Sequence, residues 1–206
     1  VAHYEHGSLD PKPRGSPFIC LDANTGKVIW TVNGLFRSTR WGGRAIIGDS
    51  IMATMDTYDQ RIYAVGKGPS ATTVEAPMTG VTAGGSIAIR GKVVDTSPGT
   101  QEYALKARFP NGVPVVSDKS MSEWMLYVYK QFTKPTDVTG VPVHLTAIDS
   151  NGNFQDIGTA ISDVFGNYAI AWTPPVPGLY NVKATFEGSN SYYGSEAGSA
   201  FVVQHG

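Results

Sequence analysis

Between Cys20 and Trp30 the chain reads Cys-Leu-Asp-Ala-Asn-Thr-Gly-Lys-Val-Ile-Trp, which is a short apolar run, a polar turn and a second apolar run. The turn chemistry is specific. Asp22 can accept hydrogen bonds from the N–H groups that follow it, and Gly26 tolerates the positive φ that closes a tight reversal. Phe18 to Leu21 and Lys27 to Val32 are therefore expected to be paired strands, with Trp30 presenting a large ring to whatever lies beside the hairpin. The motif residues are Asp22, Thr25, Gly26 and Trp30.

A second set of short apolar runs follows a Gly/Arg-rich connection through Trp41-Gly42-Gly43-Arg44. Strands are expected over Ala45 to Ile47, Ile51 to Met55 and Arg61 to Val65, separated by Gly48-Asp49-Ser50 and by Asp56-Thr57-Tyr58-Asp59-Gln60. Ile62-Tyr63-Ala64-Val65 holds the place that Phe18-Ile19-Cys20-Leu21 holds in the first set, a weak repeat of about forty residues.

The Asp22 to Trp30 segment resembles the repeat of quinoprotein-type (PQQ-type) β-propellers, Ala-x-Asp-x-x-Thr-Gly-x-x-x-Trp, with Cys20 in the place of the usual Ala. The resemblance implies propeller blades, with Trp30 wedged between neighbours. A propeller needs at least about four blades of four strands, and these strands make one to one and a half. Residues 1–66 are therefore expected to be the C-terminal part of a larger propeller, the chain being a processed form or an excised piece. The strand that should follow Val65 is replaced by Gly66-Lys67-Gly68-Pro69-Ser70, so residues 67–73 read as a linker.

Residues 74–206 change pattern. Strands are expected over Thr73 to Ala76, Ser86 to Asp95, Val141 to Asp149, Gln155 to Ile161, Asn167 to Thr173, Tyr180 to Glu187 and Ser199 to Val203. Period-two alternation is clear in Val141, Val143, Leu145 and in Tyr180, Val182, Ala184, Phe186. Seven strands with Gly-, Asn- and Pro-rich turns fit an immunoglobulin-like (Ig-like) β-sandwich. The run Ser162-Asp163-Val164-Phe165-Gly166-Asn167-Tyr168, then Trp172-Thr173-Pro174-Pro175, Pro177-Gly178-Leu179-Tyr180 and Ala184-Thr185-Phe186-Glu187-Gly188-Ser189 with Tyr192-Tyr193, is similar to bacterial and archaeal Ig-like modules of cell-surface proteins. The order of parts is similar to archaeal surface proteins in which a quinoprotein-like propeller leads into one such module. This implies an extracellular or cell-surface location and a role in assembly or adhesion.

The sandwich carries an insertion at 96–140, far longer than an ordinary β connection. Within it Ser120-Met121-Ser122-Glu123 has the form of a capping box, and Met121, Trp124, Met125, Val128 and Phe132 recur at helical spacing before Pro135. A helix of about three turns is expected, its apolar face packed on an open side of the sandwich. The alternative is a partner surface formed by Trp124, Met125 and Tyr129.

Composition excludes several classes of function. A formal net charge of −1 with no basic cluster argues against nucleic acid as a partner, and no apolar run reaches the length of a membrane span. Cys20 is the only cysteine, so no intrachain disulfide or multi-thiolate metal site can form, and it reads as a strand residue between Ile19 and Leu21. There is no Asn-x-Ser/Thr acceptor.

Candidate chemistry is sparse. His3-Tyr4-Glu5-His6 could offer imidazoles and a carboxylate to a metal but sits in no expected scaffold. Asp149-Ser150-Asn151-Gly152-Asn153-Phe154-Gln155-Asp156 has some character of a calcium loop, with glycine misplaced for an EF-hand, whereas Asn151-Gly152 suits a hairpin turn. His144 reads as a structural strand residue. Arg37, Arg40 and Arg44 could face a propeller axis, yet a quinone would need cationic residues converging from a whole ring. No catalytic frame is recognisable, so no cofactor and no enzyme activity is expected. The expected function is structural, with self-association or upstream blades as partners, possession of unpaired strand edges being the route to assembly. The rival is the C-terminal portion of a ligand-binding or quinone-dependent redox propeller with the Ig-like module as spacer.

Overall fold

The computed structural model describes residues 17–36, 45–56 and 59–206. His3, Glu5 and His6 and the three arginines Arg37, Arg40 and Arg44 lie outside the described residues. The fold is mainly β, with a sheet curled into a half-barrel. Two compact units are present. One combines the described residues up to Lys67 with Lys119–Thr136, and the other combines Gly68–Asp118 with Asp137–Gly206.

In the first unit, β1 (Phe18–Leu21) and β2 (Val28–Val32) form an antiparallel pair, and β3 (Ile46–Gly48), β4 (Ile51–Asp56) and β5 (Arg61–Val65) form a three-stranded antiparallel sheet. The β1–β2 hairpin is closed by an aspartate. The Asp22 carboxylate accepts from the N–H groups of Asn24 (3.1 Å) and Thr25 (2.7 Å) and from the Thr25 hydroxyl (2.8 Å), while Gly26 takes φ +69°. The Thr25 hydroxyl, then the two backbone donors, holds the Asp22 carboxyl below its ordinary value.

The second unit begins with β6 (Ser70–Glu75), β7 (Val81–Thr82) and β8 (Ile87–Asp95). It continues with β9 (Val113–Pro114), β10 (Pro142–Asp149), β11 (Phe154–Ile161), β12 (Asn167–Trp172), β13 (Gly178–Gly188) and β14 (Tyr193–Gln204). One sheet has the order β11-β10-β13-β14-β7 and the other β12-β8-β6, with β9 paired to β8. Alternation decides which side of each strand is inside. Tyr180, Val182, Ala184 and Phe186 on β13, Val143, Leu145 and Ala147 on β10, and Ile87, Ile89 and Val93 on β8 are all buried, so these positions make one continuous core. Tyr180 is fully buried, stacks on Phe201 (5.5 Å between centroids), meets the edge of Trp172, and donates its hydroxyl to the Val176 carbonyl at 2.9 Å.

Two boundaries differ from the expectation. Ser70–Thr73 belong to β6 rather than to a linker, because β6 pairs along β8 from Ser70↔Asp95 to Glu75↔Arg90. The Ser70 and Thr72 hydroxyls are also engaged by Ser195. Polar Ser/Thr content marked this stretch as loop, yet hydroxyls that pair with Ser195 of the other sheet suit a strand equally well. β14 is also longer than expected, extending back to Tyr193.

The Asp149 carboxylate is engaged by its own turn. It accepts from the Asn151 and Asn153 N–H groups, 2.9 Å each, and from the Asn153 side-chain amide. Gly152 takes φ +82° in the β10–β11 turn. Among the described residues no group of three or more His, Cys, Asp or Glu could hold a metal. The Asn153 side chain, followed by its N–H, lowers the Asp149 carboxyl below 3.8. Asp118 is also lowered: burial raises it, but the Ser191 hydroxyl and the N–H groups of Asn190 and Ser191 outweigh that. A lowered native value means that the unfolded chain binds more protons in acid. The stability from Asp118 and Asp149 is therefore complete above the ordinary value of 3.8 and is lost as pH falls below it. Thermal unfolding followed against pH should show a melting temperature that declines from about pH 4 downward. Asp149→Asn should lower the melting temperature at neutral pH and flatten that decline.

Candidate functional site

The exposed side of the first unit is apolar where a finished protein surface would be polar. Ile46, Ile47 and Ile62 are 70%, 79% and 77% exposed, and Val28, Ile29, Ile51 and Leu21 are exposed as well. All seven lie on the five strands of two narrow sheets. Among the described residues, β1, β2, β3 and β5 each have one neighbouring strand only and so lie at sheet edges. Short paired strands that expose branched aliphatics at this density are incomplete as a packed layer.

The interior of the same unit is organised around aromatic rings and one buried cation. Phe18 meets Trp30 at 5.8 Å and the edge of Phe36 at 4.9 Å, and Phe36 lies 6.2 Å from Tyr63. Trp30 is half-buried and sits opposite Cys20, which is likewise half-buried and carries a free thiol.

The helix Met121–Lys130 belongs to this unit and not to the second, within whose sequence it is inserted and to which the expectation assigned it. Nor does Ser120 act as the expected capping box, since its side chain makes no cap hydrogen bond and its backbone is helical, a 3-10 turn over Asp118–Ser120 leading straight into the helix. Gln131, in a left-handed conformation, ends the helix before Phe132, so Phe132 is not on the helical face. Its ring instead packs on Gly34, where an added Cβ would lie 3.1 Å from the ring.

Trp124, Leu126 and Val128 are all buried, while Met125 and Tyr129 are half-buried. Burial at 124, 126 and 128 covers more than one side of the helix. Trp124, at 1% exposure, offers no surface to a partner. The signal was present in Trp124-Met125-Leu126-Tyr127-Val128-Tyr129, which is apolar around the whole helix and not only along one stripe.

Lys130, at the last helical position, points its ammonium into the first unit. Its Nζ pairs with the Asp56 carboxylate at the end of β4, lies 3.8 Å from Asp59 Oδ2, donates to the Gly34 carbonyl at 3.3 Å, and sits 4.6 Å from the centre of the Tyr63 ring. The side chains of Lys130 and Asp56 are 2% and 0% exposed. Tyr63 donates its hydroxyl to Asp59 Oδ2 at 2.5 Å, and Asp59 Oδ1 accepts from the Arg61 N–H. Burial first, then the hydrogen bond and charge of Asp59, pushes the Tyr63 phenol well above its ordinary range. Asp56 and Asp59 had been legible only as turn formers, and Lys130 carried no signal in its own neighbourhood.

His144 lies on β10 with its ring Nε2 2.9 Å from Asp156 Oδ1 on the solvent side of the hairpin with β11. No helix of the described residues is long and apolar enough to cross a membrane. The chain matches no protein-family model and no curated protein.

Proposed function

We propose that this chain is a non-catalytic structural protein of the cell surface or extracellular space, in which a partial quinoprotein-like propeller and an Ig-like sandwich serve assembly. The observation that carries this reading is the set of open strand edges lined by Ile46, Ile47 and Ile62. Edge strands that carry exposed branched side chains are suited to a β-strand as neighbour, through main-chain pairing reinforced by side-chain burial. A strand from a second copy, or blades of the same propeller type, would complete the three-stranded sheet beside β5. The Ig-like reading of the second unit is supported by its two facing sheets and by Tyr180, whose hydroxyl binds the backbone four residues upstream in the manner of a tyrosine corner.

The test is native mass by light scattering together with electron micrographs of the same sample. A closed oligomer or a regular polymer is expected, and Ile62→Lys should shift it toward the 22.0 kDa monomer, because a charge beside an open edge blocks strand addition. A folded, monodisperse monomer at high concentration would overturn assembly by self-complementation and direct attention to blades supplied by a longer protein.

A further inference from the structure

Lys130 and Asp56 face each other in a pocket from which water is shut out, with a second carboxylate in attendance. We propose that the two side chains are joined by an isopeptide bond that the chain forms by itself, locking the helix Met121–Lys130 to strand β4. Nothing in the assembly reading is needed for this.

A bare ion pair at this depth is a poor stabiliser, since desolvating both charges offsets most of their attraction. Condensation runs through the neutral pair, an amine beside a carboxylic acid, which carries neither charge and none of their desolvation cost. Those are the forms that react. The nitrogen lone pair attacks Cγ of Asp56, the amine proton passes to Asp59, and Asp59 returns it to the departing hydroxyl. One N–H and one C–OH bond break, one N–C bond forms and one water is released. No oxidant, reductant or second substrate is required.

Each neighbour has a place in that step. Asp59 Oδ2, 3.8 Å from Nζ, is the proton carrier. Tyr63 positions Asp59 through its 2.5 Å hydrogen bond and covers the amine with its ring, while the Gly34 carbonyl orients the amine by accepting one of its hydrogens. Folding holds nucleophile and carboxyl together, an advantage equivalent to an effective concentration on the order of 10⁵ M or more. Exclusion of water then protects the product from hydrolysis.

Mass spectrometry of the full chain, denatured after purification, tests the proposal. The intact mass should be one water below that of the sequence, and trypsin should leave Lys130 uncut within a branched peptide that contains Asp56. An unreduced mass with ordinary cleavage after Lys130 would overturn the bond. So would loss of water without the branched peptide, which would report dehydration within Asp56 alone. In Asp59→Asn chains refolded from denaturant, the branched peptide should accumulate about a hundredfold more slowly. An unchanged rate in a folded variant would remove Asp59 from the mechanism.

Discussion

Lys130→Met is expected to destabilise the first unit by about 3–5 kcal/mol, the cost of leaving a fully buried carboxylate without its cation. The methionine fills nearly the volume of the lysine stem, so the loss reports the missing partner of Asp56 and not a cavity. Asp56 is the residue that suffers, being wholly inaccessible at the end of β4. The double variant Lys130→Met/Asp56→Leu should recover a substantial part of the loss, because an apolar pair carries no desolvation penalty. Denaturant unfolding followed by tryptophan fluorescence checks both, since Trp30 and Trp124 lie in the affected unit. A double variant no better than the single one would mean that the link between the two side chains, and not relief of a buried charge, carries the stability.

Gly91→Ala is expected to cost the second unit at least about 1–3 kcal/mol, the range for forcing an extra carbon into a packed interior. Gly91 sits in the middle of β8, between Tyr168 on β12 and Val74 on β6. Its missing side chain leaves the space that the Tyr168 ring crosses to donate its hydroxyl to the Thr73 carbonyl at 2.5 Å. A Cβ at position 91 would lie 1.9 Å from that carbonyl oxygen and 2.5 Å from the Tyr168 hydroxyl. Neither a backbone oxygen nor a ring held on both sides can give way cheaply. The strand must move or the hydrogen bond must break. Thermal unfolding checks the size of the effect, and Tyr168→Phe in the Gly91→Ala background should restore part of it by removing the clashing hydroxyl.

The strands were largely legible because period-two alternation is a local property. Tyr180, Val182, Ala184 and Phe186 declare an inward face without reference to any other segment, and the Asp22 and Asp149 turns are closed by donors within four residues. What lay outside such local rules was harder to read. Helical spacing around Trp124 says that the helix must be buried, but the choice of neighbour depends on shape complementarity between distant parts of the chain. Ser120 and Glu123 have the spacing of a capping box, yet the preceding 3-10 turn delivers the backbone in a helical conformation that leaves the serine hydroxyl no cap to make. The Lys130 site combines Gly34, Asp56, Asp59 and Tyr63 with a residue far along the sequence, and none of the five departs from ordinary surface or turn composition where it stands.

The insertion of Lys119–Thr136 into the first unit also sets an order of events during synthesis. The strands β1 to β5 are made early, but the helix that supplies Trp124, Leu126, Val128 and Lys130 is not available until Gly68–Asp118 of the second unit has been made. The unit that leads in the sequence therefore cannot finish folding on its leading residues alone. Until then its apolar strands wait in the company of other nascent chains, and a newly made molecule is most open to capture by a neighbour during that interval.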